Sequence, residues 1–333
     1  MKIRWIAIIT ALLFSCTLGA QSIEINLPDT LDTLVQNYYQ SSVTAAFGTF
    51  TYAYADLPSP FSRWLEDKLG SAISKSGRLK LFNRSVAAAM DPAFKSIYGD
   101  FFQKTGVDAL ITGHFNIEGN VVMVRLELTS LTDGTLIGTT DVRVPVAALP
   151  SGLQIQPLPQ VQQFADTLSG VLPSTGLASD AAGRTNSGQQ AQLTVTVSTD
   201  RGKGAVYKDG EDLVVLATVN QPAYIRIFHI DVNKKIQCIY PNRFGGGTGW
   251  INPGELVRIP GAVDPFAFRM GPPFGTEFIK VVASTKAFSS DDQDFTDLGD
   301  DARSIIANGI PISKESDIRY AEALASYVIV PAQ

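Results

Sequence analysis

A chain of 333 residues, 45% apolar and 18% charged with a formal net charge of −5, is long enough for two domains with cores of their own, which excludes wholesale disorder. The acidic balance argues against a phosphate-binding surface, so no nucleic-acid partner is expected. Two His and two Cys exclude a Cys-rich disulfide scaffold and leave little for a zinc site, and no metal or cofactor is expected.

Residues 1–20 read as a signal peptide. Lys2 and Arg4 form a basic head, and Trp5 to Phe14 is apolar apart from Thr10. That run suits a signal-peptide core and is short for a membrane-spanning helix. Two exits are open. Thr17-Leu18-Gly19-Ala20 offers small residues to an ordinary signal peptidase, with a mature start at Gln21. Leu13-Phe14-Ser15-Cys16 has the outline of a bacterial lipobox, in which an acylated Cys16 would anchor the chain to a membrane, although Phe14 suits that motif poorly. Cleavage after Ala20 removes Lys2 and Arg4 and takes the charge from −5 to −7. Cys238 would then be the remaining cysteine, and Ile236-Gln237-Cys238-Ile239 reads as a strand holding a small buried thiol.

Leu31, Leu34, Val35 and Tyr38 share one face of a helix predicted over 28–42, and Val43 to Ala55 reads as a strand. Ser59-Pro60 opens a second helix with the stripe Phe61, Leu65, Leu69, Ala72 and Ile73, stopped at Gly77. Leu79 to Asn83 is a second strand. Phe94, Ile97, Tyr98, Phe101 and Phe102 form another helical stripe, ended by Gly106. Three strands follow. Ala109, Ile111, Gly113, Phe115 and Ile117 share a face; so do Val122, Val124, Leu126 and Leu128; Leu136, Val142 and Val144 mark the third. Gly119-Asn120 and Thr132-Asp133-Gly134 are the turns between them. Such alternation predicts a sheet with one wet face and one face under helices.

Val161, Phe164, Ala165 and Leu168 make one short helix, and Pro173 to Gln190 reads as a flexible linker. From Ala191 onward, short strands recur over 193–198, 213–219, 224–230, 235–240, 255–259, 266–269 and 277–284, separated by Gly/Pro turns. A short helix near Ala302–Ala307 and a strand at Tyr327–Val330 close the chain. The expected fold class is α+β. A small mixed sheet with helices on one face occupies 21–150, a short helix and linker 151–190, and a mainly β, sandwich-like domain 191–333.

Two family resemblances rest on these residues. Ser59–Leu69, Arg78–Arg84, Thr105–Gly113 and the hairpin Val121–Leu131 with Thr132-Asp133-Gly134 make residues 29–146 resemble an envelope domain. That domain is shared by penicillin-binding-protein activator lipoproteins, the curli-secretion-channel subunit and flagellar outer-membrane assembly proteins. Val206–Glu211, Tyr224-Ile225, Ile239–Asn242, Pro253–Glu255 and Pro272–Glu277 make the stretch from Val206 to about Phe288 similar to domain of unknown function 4384. The resemblances imply an exported, periplasmic or outer-membrane-associated protein acting as a non-catalytic accessory module on an envelope protein partner. A homo-oligomer fits the same implication.

Chemical motifs are sparse. His114 lies on the wetter face of its strand with Thr112, Asn116 and Glu118, and His229 reads as a satisfied core or edge histidine. A triad assembled across distance stays open, without a Gly-x-Ser-x-Gly elbow to support it. Gly245-Gly246-Gly247-Thr248-Gly249 leads to Trp250-Ile251 and a turn rather than into a helix, so it reads as a hairpin loop, not a phosphate cradle. Phe244 and Trp250 flank it as candidate partner contacts. The carboxylates Asp291, Asp292, Asp294, Asp297, Asp300 and Asp301 lack EF-hand spacing; they read as a solvated acidic loop, with calcium as the alternative and Asp300-Asp301 as a helix cap. The expectation is a non-enzyme; a secreted hydrolase with an unrecognised site and a structural subunit of an outer-membrane oligomer are the alternatives.

Overall fold

The computed structural model describes residues 27–36, 42–55, 57–82, 106–169, 192–202, 204–244, 248–289, 298–299, 301–307 and 318–332. The signal peptide, Cys16, the helical stripe 94–102, the linker 173–190 and residues 291–297 and 300 of the acidic loop lie outside them.

In the first unit, α1 (Leu27–Leu34), β1 (Val43–Tyr52), α2 (Pro60–Ile73), β2 (Leu79–Leu81), β3 (Ala109–Glu118), β4 (Val121–Ser130) and β5 (Leu136–Pro145) follow the expected order. The sheet runs β2-β1-β3-β4-β5. Both pairings of β1 are parallel and the other two antiparallel, so it is the mixed sheet the pattern predicts. Alternation does the sorting. Ala109, Ile111 and Phe115 of β3, Val122 to Leu128 at every second place of β4, and Val142 and Val144 of β5 are buried together with Leu31 and Leu34 of α1 and Phe61, Leu65 and Leu69 of α2.

Helix lengths differ from expectation at two ends. α2 stops at Ile73, before Gly77, because the apolar stripe gives way to Ser74-Lys75-Ser76. There the Ser76 hydroxyl donates to Asp32 Oδ1 at 2.7 Å and accepts the Leu79 N–H at 3.2 Å, which turns the chain into β2. α1 likewise ends at Leu34, with Val35 and Gln36 in a turn. At the start of α2, Ser62 Oγ accepts the Ser59 N–H at 3.1 Å, while the Ser59 hydroxyl donates to the Ile155 carbonyl at 2.7 Å.

After α3 (Pro159–Leu168) the second unit contains β6 (Val195–Thr199), β7 (Ala205–Lys208), β8 (Asp212–Leu213), β9 (Val215–Val219), β10 (Ala223–Ile230), β11 (Ile236–Tyr240), β12 (Trp250–Ile251), β13 (Val257–Ile259), β14 (Phe268–Arg269), β15 (Gly275–Ser284), α4 (Ala302–Ala307) and β16 (Tyr320–Val330). A six-stranded sheet runs β11-β10-β15-β16-β7, with β12 also on β10; β13-β9-β6 form a second sheet, and β14 pairs β8. The core between the two larger sheets joins Ile225, Ile227, Ile279, Val281 and Ala325 to Val195, Val197, Val215 and Ala217, which is the sandwich-like arrangement expected.

The other face of the large sheet is also covered. Phe228, Ile230, Cys238, Phe278 and Val282 pack with Ala165 and Leu168 of α3 and Ile306 of α4. Eight consecutive residues of β15, Glu277 to Ser284, are therefore buried. The two units touch along α2. Arg63 Nη1 donates to the Val206 carbonyl at 3.5 Å, Arg63 Nη2 lies 3.7 Å from Glu211 Oε1, and Lys208 Nζ lies 3.2 Å from Asp67 Oδ2.

Candidate functional site

Glu277, Ile279, Val281 and Ala283 occupy alternate places on β15, so the pleat delivers a carboxylate to the same face as three apolar side chains. Glu277 is 5% exposed. Its cross-strand partner on β16 is Tyr327, whose hydroxyl donates to Glu277 Oε2 at 2.6 Å. His229 on β10 faces Ile279 across the ladder, one diagonal step away, and its Nε2 lies 2.8 Å from the same oxygen. Burial drives the Tyr327 phenol well above its ordinary range, and the Glu277 carboxylate adds to that shift. Tyr327 is therefore a donor at any physiological pH.

A second buried phenol supports the first. The Tyr207 ring meets that of Tyr327 edge to face at 5.7 Å, and its hydroxyl donates to Asp200 Oδ1 at 2.7 Å. Burial again holds it protonated. Arg201 lies 4.5 Å over the Tyr207 ring and pairs with Glu211 at 2.6 Å.

Glu277 lines a cavity of about 360 Å³. The lining carries His229, Asp231, Gln237, Arg269, Glu277 and Tyr327 as polar groups, while Leu213, Val215, Ile239, Ile279, Ile329 and Phe268 supply apolar surface. Among the described residues, Ser, Thr, Cys and Lys are absent from the lining. Among the described residues, no group of three or more His, Cys, Asp or Glu is placed to hold a metal ion. The chemistry available is hydrogen bonding and charge together with apolar contact.

Phe244 and Trp250 are both at the surface, 46% and 42% exposed. Trp250 packs edge-on against Tyr224 at 4.8 Å. Phe244 lies 5.3 Å from Phe266, and Phe266 lies 5.4 Å from Phe268 at the cavity. The loop between Phe244 and Trp250 ends in β12, not in a helix; its residues 245–247 are outside the described set. Gly249 has φ +77°, and a Cβ there would come within 2.7 Å of the Ile225 carbonyl oxygen, so only glycine fits.

His114 is exposed, with Nδ1 3.1 Å from Thr51 Oγ1. Cys238 is a buried thiol that donates to the Tyr240 carbonyl at 3.3 Å. Asp301 Oδ1 accepts the Ser304 N–H at 3.3 Å, in keeping with the helix-cap reading. The residue pattern does not single out Glu277 or Tyr327 as site residues; the signal it holds for them is a carboxylate in register with an apolar stripe.

Residues 206–287 match the family model described as Domain of unknown function (DUF4384). No curated protein matches the chain. Among solved structures it is similar to the LpoB C-terminal domain from Escherichia coli, at 12% identity over 36% of this chain and 95% of that one, TM-score 0.28. It is also similar to lipoprotein GNA1162 from Neisseria meningitidis, at 12% identity over 38% of this chain and 93% of that one, TM-score 0.22. A third similar structure is the PelC dodecamer from Paraburkholderia phytofirmans, at 12% identity over 32% of this chain and 71% of that one, TM-score 0.22.

Proposed function

We propose that this is an exported cell-envelope protein that works by surface contact, as a non-catalytic accessory or interaction module in envelope assembly. The observation that carries the reading is a pair of aromatic contacts, Tyr224–Trp250 and Phe244–Phe266, that each leave one ring exposed on either side of one loop. Aromatic surface bracketing a loop on a two-sheet scaffold costs solvation in the free protein and is the composition of protein-contact hot spots. The leader-like residues 1–20 support export, and the DUF4384 match supports a module of its own over 206–287. No helix among the described residues is long and apolar enough to cross a membrane. Attachment to a membrane, on this reading, would come from acylated Cys16.

Exchange of both Phe244 and Trp250 for Ser tests the proposal. As surface changes they should leave the melting temperature within a few degrees of the parent. The variant should be exported at normal level yet fail to restore whatever envelope defect follows deletion of the gene. Full restoration by a folded, exported double variant would refute the contact role.

A further inference from the structure

We propose that the cavity beside Glu277 is a binding site for a small molecule that joins a compact apolar body to an ammonium head. Three observations carry this. First, the volume of about 360 Å³ falls within the range of small-molecule sites, roughly 300–1,000 Å³. Second, Glu277 is 5% exposed, and both hydrogen bonds it receives, from Tyr327 and His229, fall on Oε2. Oε1 accepts nothing among the described residues, although Glu277 lines the cavity. Oε1 is not among the fully buried atoms left without a partner, so it is open to the cavity, where a bound N–H group would find an acceptor held in place by the bonds to Oε2.

Third, the charge around the cavity selects the sign of the ligand. Glu277 and Asp231 are both in the lining. The cation beside them, Arg269, is exposed and pairs with Asp212 at 3.1 Å. A carboxylate or phosphate ligand would face two carboxylates, opposed by Arg269, whose Nε is bonded to Asp212 at the surface. The apolar walls, Ile279, Ile329, Val215 and Phe268 among them, suit a hydrocarbon or aromatic body.

The experiment is calorimetric titration of the mature chain, at pH 7.5, with three probes that share one body and differ in the head: phenethylammonium, 2-phenylethanol and 3-phenylpropionate. Phenethylammonium should bind saturably and with one-to-one stoichiometry, and the other two at least about tenfold more weakly. Glu277→Gln should weaken phenethylammonium by about tenfold or more. Ala267→Trp, at an exposed position on the cavity lining, should block binding without touching the core and so keeps the test valid if Glu277→Gln does not fold. Three results would overturn the proposal: no saturation by phenethylammonium up to on the order of 10 mM, the affinity expected of so small a ligand; equal or tighter binding of the alcohol or the acid; or binding that survives Ala267→Trp unchanged.

Discussion

Glu66 on α2 is the most perturbed carboxyl at the contact between the two units. Burial pushes it up to about 7 from the ordinary 4.5; Arg63 and Arg201 oppose the shift, while Asp67 and Glu211 add to it. Arg63 and Asp67 share its helix, and Arg201 and Glu211 reach it from the second unit, where Lys208 also pairs with Asp67. Between about pH 4.5 and 7 the folded protein holds a proton that the unfolded chain has released, so stability falls as pH rises through that window. Glu66→Gln should leave urea stability at pH 5 near the parent value and raise it at pH 8, by up to about 3 kcal/mol; equal curves at both pH values would contradict the burial. None of this is visible in the sequence, where Glu66 is an ordinary polar-face residue of an amphipathic helix. His229 reads correctly as a satisfied histidine, but its partner Glu277 is found only when strand register brings the two together.

At the scale of elements, β15 and β16 show what a strand buried on both faces demands. Lys280 is 1% exposed in β15, and its ammonium lies 3.0 Å from Glu322 of β16. Burial lowers the Lys280 pKa, against the pull of Glu322. Glu322→Ala would strand that cation and should cost on the order of 3 kcal/mol, whereas Lys280→Met should be close to neutral, both read from urea unfolding. Equal losses would show that the pair, not the desolvated lysine, governs the effect. Gly138 of β5 tests the first unit: a Cβ there would overlap the Leu34 carbonyl oxygen of α1. Gly138→Ala should therefore lift α1 off the sheet and cost about 1–3 kcal/mol, with faster proteolysis near residues 27–36. Strands β3, β4 and β5 are readable from alternation because one of their faces is wet. β16 begins at Tyr320, not at Tyr327, and its first half, Tyr320 to Leu324, is half-buried throughout, so no alternation marks it. β7 is four residues long, too short for a periodic signal.

For the whole molecule, the division into a mixed α/β unit and a β-rich unit follows from where strict alternation and helical stripes give way to short strands with Gly/Pro turns. The sequence leaves unread where α3 belongs and how the units meet. α3 covers the outer face of the large sheet through Ala165 and Leu168, and Arg63 and Asp67 reach Glu211 and Lys208 from far away in the chain. Such contacts depend on tertiary geometry that local pattern does not carry. Among the exposed apolar side chains, which also include Tyr54, Leu136 and Val263, the proposed role rests on Phe244 and Trp250. The direct test is site-specific photocrosslinking in intact cells, with the photoreactive residue at position 250 and, as control, at the exposed Arg143 on β5. A discrete adduct of one mass formed from position 250 and absent from 143 is the predicted result. Equal, diffuse labelling from both positions would contradict it.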